Sequence, residues 1–388
     1  IDRVKQSLYT GMRRHGLDEE TADRIYAQIQ AFSDFGFAES HSLSFALLVY
    51  ASSWLKLHYP AAFLAGLLRS QPMGFYSAST LTGDARRHGV EVRRPDLARS
   101  GATETLEPVA PERTGLTGRE SCAHQLPDRP DGVDPDPFDP KAPDETAAHR
   151  RDGRFAVRLG LAGVTGIGEK TAERIVTERD ARGPYRDLND LVRRTDLTTS
   201  QVESLATAGV FDSLGLQRRE AIWLAGSAAE DRARYLPDTV VAVQPPLFGD
   251  QTSYELLTAD LWATGVSTDD HPLAHFRPGL DARGVLTSVA LRTHESGRRV
   301  EAAGLVTHRQ RPSRAGGATF LNLADEHGLV NVICTQGVWL RYRRIARESP
   351  ALIVRGMLER SPEGVTNLLA DAFETLQVGV PHHSRDFQ

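Results

Sequence analysis

The sequence predicts a multidomain protein in which all-α segments come first and a five-stranded β-barrel comes last. Three observations carry this. Apolar residues recur at helical spacing in residues 17–69 and again in 153–226. From about residue 285 the apolar period changes to two. Between the helical parts, residues 100–152 are rich in Pro, Asp, Gly and Thr. They hold too few large apolar side chains to offset the entropy of ordering, so they read as an acidic linker or insert.

The elements follow in order. Residues 17–32, LDEETADRIYAQIQAF, form an amphipathic helix with Asp18 at its N-cap and Ile25, Ile29 and Phe32 on one face. Residues 42–69 are mostly apolar but are split by Pro60, which ends one helix and suits the first turn of the next. The run is too interrupted to span a membrane, so two buried helices are expected, and 1–99 is a helical region. Asp134, Asp136 and Asp139 are read as part of the acidic linker, not as metal ligands. Residues 153–226 are helical again, and 227–284 are a connector broken by Pro237, Pro245, Pro246, Pro272 and Pro278. Strands are expected at 302–309, 318–325, 329–334, 351–359 and 365–373, with a helix at 337–348. Three strands, a helix and two strands is the order of an OB-fold barrel, placed at 285–378, with a tail at 379–388.

Composition narrows the function classes. No run of 18 apolar residues exists and the N-terminus has no signal-peptide core, so a non-membrane, cytoplasmic protein is expected. The chain begins at Ile1, which suggests a piece of something longer. Cys122 and Cys334 make no metal spacing and no disulfide framework, in keeping with a reducing compartment. The 13 histidines show no ligand pattern, and His382 and His383 read as a solvated tail. Residues 101–149 hold eleven acidic and four basic side chains, net −7, so the rest of the chain carries +2. That balance is compatible with nucleic-acid binding and does not establish it.

The motif with most chemical content is Gly163-Val-Thr-Gly-Ile-Gly-Glu-Lys-Thr-Ala172. A P-loop needs Lys directly after its second glycine. Here Glu169 stands between Gly168 and Lys170, and its carboxylate would lie where phosphate oxygens belong. The pattern fits instead a helix-hairpin-helix, with RFAVRLGLA read as the first helix and Ala172, Ile175 and Val176 on one face of the second. Gly163, Gly166 and Gly168 permit a tight turn and leave backbone N–H groups open to a DNA phosphate. Lys170, Thr171 and Arg174, with Arg179, add polar and cationic groups. Such contacts position a duplex without reading its sequence. A purely structural hairpin is the alternative. A second, weaker unit follows in LTTSQVESLATAGVFDSLG, 197–215.

Two further sites are expected. In Gln244-Pro-Pro-Leu-Phe248, Leu247 and Phe248 could fill an apolar pocket while Gln244 hydrogen-bonds at its rim, as in peptides that dock on the sliding clamp. The alternative is an apolar tether packed on its own domain. In the barrel, Arg309, Arg311 and Arg314 lie in a Gly-rich hairpin, and Phe320, Trp339 and Tyr342 are candidates for stacking on a single strand. For Trp339 a place in the core is the favoured alternative, and Arg341, Arg343, Arg344 and Arg347 are expected on a solvated helix face.

The stretch FGFAESHSLSFALLVYASSWLKLHYPAAFLAGLL, 35–68, resembles the end of the fingers domain of C-family bacterial polymerases, the polymerase III alpha subunits. Its wording is most similar to the error-prone branch belonging to the mutagenesis cassette. The resemblance continues through SQPMGFY, DARRHGVEVRRPD, the hairpin, DLWATGVSTDDHP, THRQRP, TFLNLADE, RYRRIAR and SRDF, and only 100–152 looks foreign. It implies template-directed DNA synthesis by a two-metal mechanism. The palm carboxylates and their Mg2+ would lie outside this sequence, with no cofactor in it. The chain would be the C-terminal portion: end of fingers, tandem hairpin domain, clamp-docking segment and OB domain. Ser40, His41 and Ser42 match the motif nearest the incoming nucleotide. The implied partners are primer-template DNA, the sliding clamp and a Y-family-like accessory protein. A non-catalytic DNA-binding and clamp-docking module is the alternative. A NAD-dependent ligase is disfavoured, because no lysine sits in a KxDG motif.

Overall fold

The computed structural model describes residues 2–34, 39–74, 76–109, 149–230, 249–312, 316–361, 364–380 and 384–387. It divides into two compact units, Ile1–Lys56 and Leu57–Gln388.

The first unit holds α1 (Asp2–Arg14), α2 (Glu19–Asp34) and most of α3 (Glu39–His58). The Asp18 carboxylate accepts from Thr21 N–H at 2.7 Å and caps α2 as expected. Met12, Ala22 and Tyr26 are the buried contacts between α1 and α2. α3 departs from the expectation of burial: Leu43, Leu47, Leu48, Val49 and Tyr50 are all more than half exposed. A helix apolar on all sides needs cover all round, and the described residues supply too little surface to give it.

The second unit starts where Pro60 opens α4 (Pro60–Arg69) after the break at Tyr59. α4 does bury its apolar face. Ala61, Leu64, Ala65 and Leu68 pack with Ala85 of α5 (Ala78–Arg87) and with Val92, Val157 and Leu159 of a small sheet. That sheet corrects the linker boundaries. β1 (Val92–Arg93) runs parallel to β3 (Phe155–Arg158), and β2 (Thr105–Pro108) pairs antiparallel with β3. Residues 100–109 and 149–152 therefore belong to the folded body. The 4 % exposed Asp152 explains why: its Oδ2 accepts from Ala61 N–H at 2.8 Å and Ala62 N–H at 3.1 Å. Tyr59 has no side-chain acceptor for the start of α4, so a residue 91 positions away caps the helix. Buried Arg150 holds that carboxylate through Nε at 2.9 Å. The core of 110–148, with Asp134, Asp136 and Asp139, lies outside the described residues.

Four helices follow: α6 (Gly168–Arg182), α7 (Leu188–Thr195), α8 (Thr199–Thr207) and α9 (Arg218–Glu230). They close over a core built on Ile175, Leu191, Leu205 and Phe211, joined by Leu97 from upstream and Ala263 from α10 (Ser253–Thr264). RFAVRLGLA is not a helix. It is strand β3 followed by a single 3-10 turn, Leu161–Gly163. The β-branched and aromatic residues of FAV pair with two strands whose charged flanks hid them. The connector is well structured from 249 on: the buried Arg218 guanidinium grips Asp260 of α10 at 2.6 Å. The short helices α11 (Arg277–Ala282) and α12 (Ser288–Thr293) lead to the barrel.

β4 (Arg299–Gln310), β5 (Thr319–Ala324), β6 (Leu329–Cys334), α13 (Gln336–Glu348), β7 (Ala351–Arg360) and β8 (Thr366–Thr375) follow in the expected order. β4 pairs with β5, β5 with β6, β6 in parallel with β8, β8 with β7, and β7 back with β4, closing a five-stranded OB-like barrel. Two glycines allow the closure. A Cβ on Gly356, at a β-bulge, would stand 2.3 Å from Leu369 O, and one on Gly304 would stand 2.7 Å from Leu323 Cβ. Inside lie Val306, Leu321, Leu323, Val332, Leu352, Leu368 and, as expected, Trp339. Within 379–388 the described residues are packed. β9 (Arg385–Phe387) adds to β4 in parallel, and Val380 is buried.

Candidate nucleic-acid interface

The glycine turn sits on the surface, between the 3-10 turn and the start of α6. Gly163, Gly166, Gly168 and Lys170 are exposed, as is Arg174, and Thr171 is half-buried. Gly166 has φ +79° and Gly168 φ +65°, in the left-handed region that glycine adopts without strain. Val164 and Ile167 point inward and anchor the turn in the helical core.

The backbone donors divide into two sets. Thr165 N–H donates to Ala263 O at 2.7 Å, and Thr165 Oγ1 donates to Trp262 O at 3.1 Å. These carbonyls end α10, where no intrahelical donor is left for them, so the turn caps that helix. Ile167 N–H donates to Val164 O at 3.0 Å. The N–H groups of Gly168, Glu169 and Lys170 open α6 and have no intrahelical acceptor. Ile167, at the N-cap, gives no side-chain cap to α6. Three outward amides, the positive end of a 15-residue helix and the Lys170 ammonium thus share one exposed corner. This arrangement can hold one phosphate group through donors that carry no sequence information. The exposed Glu169 side chain shares the corner, which excludes a buried polyphosphate but not a single phosphate approached from outside.

Arg179 does not join this set. Its guanidinium donates to Leu97 O at 3.0 Å and Ser100 O at 2.7 Å, locking α6 to the upstream segment. The stretch 197–215, expected as a second, weaker unit, runs through α8, Gly209 at φ +71° and a 3-10 turn. A Cβ on Gly209 would meet Arg218 Nε at 2.7 Å. That glycine thus makes room for the buried Arg218–Asp260 pair.

The barrel residues separate. Arg309 is corrected as a strand-binding candidate: it is 7 % exposed and points inward. Its Nε donates to Ala346 O at 2.7 Å, one terminal nitrogen to Ser349 O at 2.6 Å, and the other to Ser384 Oγ and, at 3.4 Å, Asp386. Burial pushes its pKa down, with the Asp386 carboxylate opposing the shift. Arg311 is exposed just beyond β4, and Phe320 is 38 % exposed on the outer side of β5. The pairing of Gln310 with Phe320 places these two at neighbouring positions. Tyr342 packs instead on the core, edge-on to Phe373. Arg341, Arg343, Arg344 and Arg347 are exposed on α13. Arg314 and the whole of Gln244, Leu247 and Phe248 lie outside the described residues. Ser40, His41 and Ser42 are exposed on the first turn of α3, in the other compact unit, with His41 stacked edge-on to Phe45.

Two positioning residues were not legible in the sequence. Thr165 sits inside the glycine motif but reads there as a spacer. Gln201 carries the signal of a capping box, Thr-x-x-Gln, yet nothing in that signal shows what else it touches. Among the described residues, no group of three His, Cys, Asp or Glu side chains could hold a metal ion, and no helix is long and apolar enough to cross a membrane.

A family model for the helix-hairpin-helix motif matches residues 89–221, which includes β1 to β3 as well as the helices. Along its whole length the chain is similar to proteins named error-prone DNA polymerase. It is 53 % identical to that of Cutibacterium acnes over 394 aligned residues, covering all of this chain and 34 % of that protein. It is 45 % identical to that of Nocardia farcinica, covering 30 % of it, and 44 % identical to that of Mycolicibacterium paratuberculosis, covering 31 %. The chain thus spans about a third of the length of the curated relatives it matches. Among solved structures, asparaginyl-tRNA synthetase from Pyrococcus horikoshii matches 25 % of this chain and 24 % of its own at 23 % identity and a TM-score of 0.20, too slight a likeness to argue from.

Proposed function

Because the chain is similar along its whole length to proteins named error-prone DNA polymerase, we propose that it is the C-terminal, DNA-holding portion of such a polymerase. The observation that carries this is the corner at Gly168–Lys170, where three helix-opening amides and a lysine face solvent on a rigidly anchored turn. The grip takes the phosphate backbone of a primer-template duplex and keeps it in register with a catalytic centre elsewhere. Gly163 and Gly166 keep the approach clear, and Thr171 and Arg174 stand one turn further along the same helix.

Template-directed synthesis needs two metal ions on palm carboxylates. In this reading the palm carboxylates and their Mg2+ belong to another part of the polymerase, and this chain contributes DNA binding. Arg311 and Phe320 are the barrel residues best placed to meet a single strand. Docking on a sliding clamp through Gln244, Leu247 and Phe248 rests on the sequence pattern, as does contact of Ser40, His41 and Ser42 with the incoming nucleotide. A Y-family-like accessory protein is the further partner that the family suggests. Phe248→Ala is expected to weaken binding to the clamp, measured by surface plasmon resonance. An unchanged affinity would make QPPLF a tether.

The hairpin is tested by fluorescence anisotropy on duplex, primer-template and single-stranded DNA. The chain should bind duplex, and Gly166→Glu with Gly168→Glu should abolish that binding at moderate salt. Duplex binding retained in the double variant would make the hairpin structural.

A further inference from the structure

The turn of the first hairpin is held by the second. Gln201 is the third residue of α8, where its Oε1 accepts from Thr198 N–H at 3.1 Å while Thr198 Oγ1 accepts from Gln201 N–H at 3.3 Å. That box uses only one end of the carboxamide. The other end, Nε2, donates to Gly166 O at 3.4 Å, across 35 residues. Gly166 O shares its peptide unit with Ile167 N–H, which donates to Val164 O at 3.0 Å. Both polar ends of that peptide are therefore fixed. α8 lies close by: a Cβ on Gly166 would stand 3.9 Å from Ser204 Oγ.

The consequence concerns the neighbouring donors. A glycine at φ +79° has little steric resistance to flipping the peptide that follows it. A flip would bring a carbonyl oxygen towards the Gly168–Lys170 amides and set a negative dipole against a phosphate. We propose that Gln201 is a positioning residue of the phosphate grip, holding the 166–167 peptide in the orientation that leaves the amides of α6 unobstructed. The second hairpin thereby works as a brace for the first, not as a second grip. This rests on the hairpin being the DNA contact, and its test separates the two claims.

Gln201→Glu keeps an acceptor for the capping box, as Glu255 does at Thr252, and removes only the donor to Gly166. Ser200→Glu, one residue earlier and exposed, adds the same charge with the Gln201 bond intact. Amide hydrogen exchange is measured without DNA, and duplex affinity is measured separately. In Gln201→Glu the Ile167 amide should exchange about threefold faster, the scale of one modest hydrogen bond, and in Ser200→Glu it should not change. Duplex affinity should fall about threefold further in Gln201→Glu than in Ser200→Glu. Equal exchange at Ile167 in the two variants, or an equal loss of affinity in both, would overturn the proposal. Faster exchange in a chain whose wild type binds no duplex would uphold the brace and sink the DNA reading.

Discussion

Replacing Arg309 by Met separates a structural arginine from a DNA-binding one. The methionine keeps most of the stem volume and removes the guanidinium. Ala346 O and Ser349 O then lose their donors inside the protein, and Ser384 and Asp386 lose a side-chain contact that adds to the pairing of β9 with β4. Each buried carbonyl left without a donor costs about 1–3 kcal/mol, so the two together should remove about 3 kcal/mol. Part of the loss is offset because a buried charge no longer has to be desolvated. With a urea slope of about 2 kcal/mol per M, the barrel transition should move down by about 1.5 M. Below that transition, single-strand affinity should equal that of the wild type. A variant as stable as the wild type but tenfold weaker on single-stranded DNA would refute the assignment and return Arg309 to the binding surface.

Other outcomes follow from the geometry. Gly168→Ala places a Cβ in open space at φ +65°, so only backbone strain of about 1 kcal/mol should appear in a thermal melt. Gly160→Ala forces a Cβ to 2.5 Å from the Thr103 backbone and should cost more, about 3 kcal/mol, and equal costs would contradict the close approach. His271 is half-buried, and the loss of hydration lowers its pKa to about 4, while its Nδ1 accepts from Leu273 N–H at 3.2 Å. A lowered histidine pKa means the unfolded chain takes up protons first, so stability is full above about pH 6.5 and falls as pH drops towards 4, by up to about 3 kcal/mol. His271→Asn keeps a capping acceptor and should flatten urea midpoints between those pH values, and an unchanged slope would exclude His271 as their source. Cys334 is fully buried with its thiol pushed up to about 12, so it should resist thiol reagents at pH 8 until the barrel unfolds. Rapid modification of the native protein would contradict that burial.

Much of the architecture was legible because its signals are local. Pro60 and Asp18 mark helix boundaries by backbone chemistry alone. The alternation in 302–334 and 351–373 fixes strands and barrel order without knowledge of their partners. The glycine turn was legible for the same reason, since Gly166 and Gly168 answer to backbone angles. What stayed hidden depends on contacts distant in sequence. Strands of two and four residues carry almost no period, so β1 to β3 went unread. Arg150 and Asp152 look like linker charges until α4 comes to rest on them. Arg309 and Arg311, two residues apart, would share one face of a strand; β4 ends at Gln310, and only Arg309 is covered by the end of α13 and the last segment of the chain, which the sequence does not show. Exposure of α3 was unreadable because hydropathy shows what a helix needs, not what is present to cover it.

The most direct test is the salt dependence of duplex affinity, measured by anisotropy on two duplexes of unrelated sequence, for the wild type and for Lys170→Ala. A backbone grip predicts linear plots of log affinity against log salt, the same for both sequences, with a slope about 0.9 shallower in Lys170→Ala. A slope near zero, a preference for one sequence, or a slope untouched by the loss of Lys170 would contradict the claim that this corner holds DNA by its phosphates.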